Sequence, residues 1–185
     1  MKMRKAGTDD YPAVMRMFEA LWDEQEAHGG FTVWKRGVYP TEEVIRNDIK
    51  EGTLYVFEEE GLCAAVTLDH KQAPEYAEQP WTVSAADDRV LVMHRLIVPP
   101  ENGRKGTGYR AVQCCIEEAE RSDCASIRLD TGSQNIPAVR LYEKCGFRII
   151  SRNHIELGGK IPNAQLFLEY TVGNHNDQSI TPEAL

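Results

Sequence analysis

The sequence predicts a mixed α/β (α+β) fold. Helix-like and strand-like patterns alternate along the chain, one pair of strand-like runs is joined by a turn short enough for an antiparallel hairpin, and no segment repeats. A chain of 185 residues with 42% hydrophobic side chains can build one sizeable core. We expect residues 1–172 to form a single domain. Residues 173–185 carry almost no apolar side chains, so they are expected to form a polar, loosely held tail.

Residues 1–6 read as an edge strand. Thr8, Asp9 and Asp10 offer N-caps to a helix in which Val14, Met17, Phe18 and Leu21 keep helical spacing, and Gly29-Gly30 ends it. Thr41 caps a second helix through Val44, Ile45 and Ile49, which Gly52 closes. Runs 54–59 and 62–69 flank Glu60-Gly61 as a hairpin. Residues 71–86 hold Pro74, Pro80 and small polar side chains and read as a long loop, of the kind that borders a site, with Tyr76 and Trp81 as aromatic anchors. Residues 89–98 form the strongest strand pattern, stopped by Pro99-Pro100. A helix from Gly106 to about Arg121, a strand over 126–131, a short helix over 135–144 and strands over 147–154 and 164–171 complete the order.

Charge and cysteine content narrow the function. A net charge of −8 argues against a general nucleic-acid binder, whose phosphate contacts need a basic face, and would steer a cationic acceptor inward. The apolar runs fall far short of the roughly 20 residues of a membrane helix. The basic start, Met1 to Ala6, lacks the apolar stretch of a secretory signal, so no membrane partner and a cytoplasmic location are expected. Cys63, Cys114, Cys115, Cys124 and Cys145 have no CxxC pair and no His at zinc-ligand spacing. They read as free core thiols, and no metal is expected.

The chemistry concentrates after the strand over 89–98. Gly103-Arg104-Lys105-Gly106-Thr107-Gly108 joins that strand to a helix. Glycine lets backbone amides approach a ligand closely, a helix N-terminus presents unpaired N–H groups, and Arg104 and Lys105 add full charge, so the loop suits a diphosphate. It is neither a GxxxxGK[ST] loop nor a complete GxGxxG turn. A plain strand-to-helix turn is the competing reading of the loop alone.

Three separated features resemble the GNAT superfamily of N-acetyltransferases. His94-Arg95-Leu96-Ile97-Val98-Pro99 is similar to the family's L-x-V-x-P. The loop 103–108 resembles [QR]-x-x-G-x-[GA] at both glycines, but Gly103 stands where Gln or Arg is usual, with Arg104 as a stand-in. Asn135-Ile136-Pro137-Ala138-Val139-Arg140-Leu141-Tyr142-Glu143-Lys144-Cys145-Gly146-Phe147 is similar to N-x-x-A-x-x-L-Y-x-K-x-G-F, the most specific of the three. The resemblance implies a central, mostly antiparallel mixed sheet, splayed at its middle strands and flanked by helices on both faces. It implies acetyl-CoA as cosubstrate, no metal, and an amine acceptor, which we expect to be a small molecule.

The resemblance also assigns roles. The backbone at Leu96, Ile97 and Val98 would bind the pantetheine arm, Arg104, Lys105, Gly106, Thr107 and Gly108 the diphosphate, and Asn135 the arm through its side chain, with an ordinary N-cap as its alternative role. Tyr142, two helical turns beyond Asn135, would give a proton to the departing sulfur. His94 is the candidate base. Strand alternation puts it on the face of Leu96 and Val98, although a structural histidine bonded to Asp130 or a loop carbonyl is the rival account, and Asp69, Glu24 and Asp130 are alternative bases. The acidic Asp23, Glu24 and Glu26 with Trp22, Trp34, Tyr76 and Trp81 are candidates to hold an aromatic or cationic amine. An acyl-CoA-binding sensor without transfer, a longer acyl donor and acetylation of a protein amine stay open, as does a homodimer.

Overall fold

The computed structural model describes residues 1–157 and 161–173. Beyond Gly173 the expected polar tail lies outside the described residues. In chain order the elements are β1 (Lys2–Lys5), α1 (Tyr11–His28), α2 (Glu42–Glu51), β2 (Leu54–Glu58), β3 (Leu62–Asp69), α3 (Pro74–Ala77), β4 (Val90–Ile97), α4 (Thr107–Arg121), β5 (Ser126–Gly132), α5 (Ile136–Lys144), β6 (Arg148–Leu157) and β7 (Ile161–Thr171). They build a seven-stranded sheet in the order β1-β2-β3-β4-β5-β7-β6. Its pairs are antiparallel except β4 with β5.

Local signals set the helix ends. Thr41 Oγ1 accepts the Val44 N–H at 3.3 Å to start α2, and Gly52, in the left-handed region at φ 69°, stops it. Asp10 does not cap α1 with its side chain. Its carboxylate instead accepts the Gly7 amide at 2.8 Å and two guanidinium N–H bonds from Arg4, fastening β1 to the start of the helix. Residues 71–86 are less irregular than expected: Pro74 opens the one-turn helix α3, whose Tyr76 is buried.

Helices cover both faces. On one, Leu91, Met93, Ile127, Leu129 and Leu168 pack under Val112, Cys115 and Ile116 of α4 and Val139 and Tyr142 of α5. On the other, Leu54, Val56, Ala65 and Ile97 meet Val14, Phe18 and Trp22 of α1 and Ile45 of α2. Each fully buried side chain of this size contributes about 1.5–3 kcal/mol. Tyr76, Trp81 and Phe167 form a third cluster that lays the 71–86 segment over Val90 and Val92. Tyr76 and Trp81 are thus the anchors that their placement in a long loop suggested.

The sheet splits in the middle. β4 pairs with β5 only through Val90–Ser126, Leu91–Ile127 and Val92–Arg128, and then the strands part, while β5 stays with β7 as far as Gly132–Gln165. Arg128, at the last shared pair, is buried and donates through Nε to Glu169 at 3.1 Å, through Nη1 to Gln72 at 2.6 Å and through Nη2 to the Val83 carbonyl at 2.7 Å. Glu169 in turn accepts the Thr82 hydroxyl at 2.6 Å and the Thr82 amide at 2.8 Å. Breaking a buried pair leaves a charge without compensation. Arg128→Met is therefore expected to destabilise the protein by about 3–5 kcal/mol in chemical denaturation, far more than Arg89→Met at the exposed Asp123 pair.

Candidate active site

Just past the last β4–β5 pair, β4 carries a β-bulge against β3. Ala65 faces Ile97 and Thr67 faces His94, so two steps along β3 match three along β4. Arg95 takes up the extra residue in the left-handed region at φ 52°. Its guanidinium is held by Asp48 at 2.5 Å and by the Tyr39 hydroxyl at 3.0 Å, and Asp48 also accepts the Thr67 hydroxyl at 2.8 Å. These bonds hold a backbone conformation that a non-glycine residue adopts at a cost of about 1–3 kcal/mol. Past the bulge, β4 has lost β5 as a partner, so its edge can accept an extended ligand as an added strand.

A groove of about 590 Å³ follows this edge, lined by Leu96, Ile97 and Val98, by the 102–108 loop and by α5. The first intrahelical bond of α4 runs from the Arg110 amide to the Gly106 carbonyl at 3.1 Å. The preceding amides, Thr107, Gly108 and Tyr109, therefore have no acceptor within the helix and are open to an acceptor from outside it. Gly106 sits at φ 76°, and a Cβ on Gly108 would lie 3.1 Å from a Leu141 methyl, so α4 and α5 approach closely only at glycine. Arg110 braces the loop, donating to the Lys105 carbonyl at 2.9 Å and, in two bonds, to Glu59.

Helix α5 supplies the far wall. Asn135 Oδ1 caps it by accepting the Ala138 amide at 3.4 Å, which leaves the Asn135 NH₂ free to serve a ligand. Asn135 and Tyr142 both line the groove, as their spacing of two helical turns requires. Burial, reinforced by Cys115 and Asp130 nearby, holds the Tyr142 phenol well above its ordinary pKa. It stays protonated through the physiological range and can donate to an anionic atom.

A second cavity of about 390 Å³ opens on the opposite side of the split, between the 31–34 loop, α3 and the end of β5. The 31–34 loop is docked on α1, where Gln25 donates to the Trp34 carbonyl at 3.0 Å and Phe18 packs against Trp34 with centroids 5.7 Å apart. Asp130 reaches the cavity from β5, its oxygens accepting the Tyr76 hydroxyl at 2.6 Å and Gln165 Nε2 at 3.0 Å. His94 also lines it, with Nε2 3.4 Å from Asp69 Oδ1. For Asp69, burial pushes the carboxyl up, but the bond and charge of His94 with the Lys71 amide pull it net below its ordinary value.

Several expected placements change. The bulge reverses the alternation of β4, so His94 lies on the face opposite Leu96 and Val98 and opens into the second cavity instead of the groove. Its carboxylate partner is Asp69, not Asp130. Lys105 is exposed and stands outside the groove lining, while Arg104, Gly106, Thr107 and Gly108 belong to it. Asp23 and Glu26 do not wait for an amine: with Glu19 they hold Arg36, which stacks over Trp22. Glu24 lies on the groove rim, paired to His28. Trp34 and Tyr76 do line the second cavity. The residue pattern gave no warning of Arg95 or the 31–34 loop, whereas Lys144, at the groove beside Tyr109, stands inside the quoted α5 motif.

Comparisons with known proteins agree with this geometry. The model of the acetyltransferase (GNAT) family matches residues 14–147, more than half of the chain. The N-acetyltransferase 9-like protein of Schizosaccharomyces pombe (strain 972 / ATCC 24843) is 36% identical over 72 residues, 34% of this chain, and the match spans about a third (33%) of that relative's length. A GNAT-family acetyltransferase from Streptococcus agalactiae 2603 superposes with a TM-score of 0.76 at 20% identity, over 92% of this chain and 94% of that one. The yncA protein of Salmonella typhimurium, solved with its cofactor acetyl-CoA, gives 0.67 at 15% identity, over 98% and 99%. At such identities the superpositions speak for the fold. The split sheet, the amide-lined loop at α4 and the matched family model together lead to one conclusion: the chain belongs to the acetyltransferase (GNAT) family.

Proposed function

We propose that this chain transfers an acetyl group from acetyl-CoA to the primary amine of a small molecule by direct attack. The observation that carries the reading is the meeting of the two cavities at the split in the sheet, where Arg95, Asp130, Thr131, Asn135 and the 31–34 loop line both. An extended donor in the groove and an acceptor in the second cavity would bring their reacting atoms together there. The open β4 edge at Leu96, Ile97 and Val98 suits the amide-rich pantetheine arm, with the Asn135 NH₂ as a further donor to it. The amides of Thr107, Gly108 and Tyr109 with Arg104 suit the diphosphate, and Lys105 contributes charge from outside the lining.

Tyr142 is the acid in this reading. A phenol kept neutral by its surroundings can protonate or hydrogen-bond the sulfur as it leaves. His94 with Asp69 carries protons away from the acceptor cavity. Burial raises the pKa of all five thiols, which supports direct attack over an acyl-cysteine route. A small-molecule acceptor fits the size of the second cavity, and a protein amine is the second reading, because a cavity of about 390 Å³ would also have room for a lysine side chain. We further read residues 1–172 as one catalytic domain of a cytoplasmic protein. The free thiols favour a reducing compartment, and among the described residues no helix is long and apolar enough to cross a membrane.

Mass spectrometry of a primary-amine panel with acetyl-CoA tests the reading directly. Acetylated product supports it, and donor binding without product from any amine would favour a sensor. In the transferring protein, Tyr142→Phe is expected to lower kcat by roughly 10²-fold while acetyl-CoA affinity in calorimetry stays nearly unchanged. Gly106→Ala forces a side chain into a left-handed position at the loop. It should cost about 1–2 kcal/mol in thermal unfolding and raise the KM for acetyl-CoA several-fold.

A further inference from the structure

Attack on the thioester requires a neutral amine, so the acceptor ammonium must lose a proton beside the reacting carbon. The residues that line both cavities mark that place. Among them only Asp130 can receive a proton: Arg95 carries its own and is paired with Asp48, and Thr131, Asn135 and the side chains of the 31–34 loop are neutral. His94 lines the acceptor cavity alone, one step farther from the thioester. We infer that Asp130 takes the proton from the acceptor ammonium, that Tyr76 is its positioning residue, and that His94 with Asp69 is the outlet. This rests on the acetyl-transfer reading above.

The geometry suits the task. Tyr76 donates to Oδ1 at 2.6 Å and Gln165 to Oδ2 at 3.0 Å, which fixes the plane of the carboxylate and leaves each oxygen a further acceptor site for an N–H. The groups facing it are Tyr76 and Glu75 from α3, His94 and Arg95 from β4, Gln165 from β7 and Tyr142 from α5, with Asp69 behind His94. Burial pushes the Asp130 carboxyl above its ordinary pKa and Glu75 adds to this, while the Tyr76 bond, His94 and Arg95 oppose it. A carboxylate so placed is a stronger base than one in water.

The step balances. The R–NH₃⁺ acceptor gives one proton to Asp130, from which it leaves to solvent by way of the cavity that His94 lines. The nitrogen lone pair forms the C–N bond to the acetyl carbon, the C–S bond breaks, and its electron pair leaves on sulfur. Sulfur takes the Tyr142 proton, and the second proton lost by nitrogen restores the phenol. One ammonium and one thioester become one amide, one thiol and one released proton.

Two acceptors of nearly the same shape separate this role from a structural one. 2-Phenylethylamine is an ammonium at neutral pH, whereas O-benzylhydroxylamine, with oxygen in place of the carbon beside nitrogen, is already neutral. Asp130→Asn should lower kcat for the ammonium roughly 10²-fold or more, with a far smaller loss for the neutral acceptor and unchanged acetyl-CoA affinity in calorimetry. Tyr76→Phe removes a bond that favours the carboxylate, so the Asp130 pKa rises. The acidic limb of kcat for 2-phenylethylamine should therefore move to higher pH, and that for O-benzylhydroxylamine should stay. Equal losses with both acceptors in Asp130→Asn, or an unmoved limb in a folded Tyr76→Phe protein, would overturn the assignment. If the unaltered protein acetylates no amine of the primary-amine panel, these two included, the small-amine reading itself falls, an outcome distinct from either of these.

Discussion

β4 and β5 share only three residue pairs before they part, yet each keeps its other neighbour, β3 for one and β7 for the other, so the sheet gives up few ladder bonds where it opens. What holds the opening at a fixed place is Arg128. It lies in the last pair, under the 71–86 segment, with its charge answered by Glu169 and the ring of Trp81 4.5 Å from the guanidinium carbon. A buried ion pair of this kind is a poor source of net stability against an apolar replacement, but it strongly disfavours any arrangement that separates the partners. The split, the groove along β4 and the cavity under α3 all depend on that anchor.

The second constraint is the bulge at Arg95. By inserting one residue, it turns Leu96 and Val98 toward α4 and α5 while His94 faces the other cavity. One strand thereby lines two cavities on opposite faces. The energetic cost is local, and Asp48, Tyr39 and Thr67 answer it from α2, the 35–40 loop and β3. These three elements therefore bear on the geometry of the site although Asp48 and Thr67 line neither cavity.

The order of helices and strands was legible in the sequence because it depends on local spacing and capping: Val14, Met17, Phe18 and Leu21 in α1, Thr41 and Gly52 around α2, and Pro99-Pro100 after β4. The 102–108 loop and the Asn135 to Tyr142 wall were legible for the same reason, since each lies within a short stretch whose spacing fixes its geometry. The face of His94 was not. A bulge is imposed by the partner strand and by Asp48, 47 residues away, and nothing in the alternation of 89–98 announces it. The acidic Asp23 and Glu26 looked available to a ligand because the fold of the segment after α1, which brings Arg36 back over them, depends on tertiary packing that no periodicity encodes. Asp130 was visible as one carboxylate among several, and only the joining of two cavities distinguishes it.

The two halves of the site are written in the chain in different ways. The 102–108 loop relies on main-chain amides and on glycines at 106 and 108, so most side-chain replacements nearby leave its donors intact, while a side chain at 106 is strained by its positive φ and one at 108 presses on Leu141. The second cavity is walled by side chains drawn from the loop after α1, α3, β4, β5 and β7. Selection can therefore rewrite that wall residue by residue without disturbing the loop, so the molecule can keep one donor through its history while its acceptor drifts.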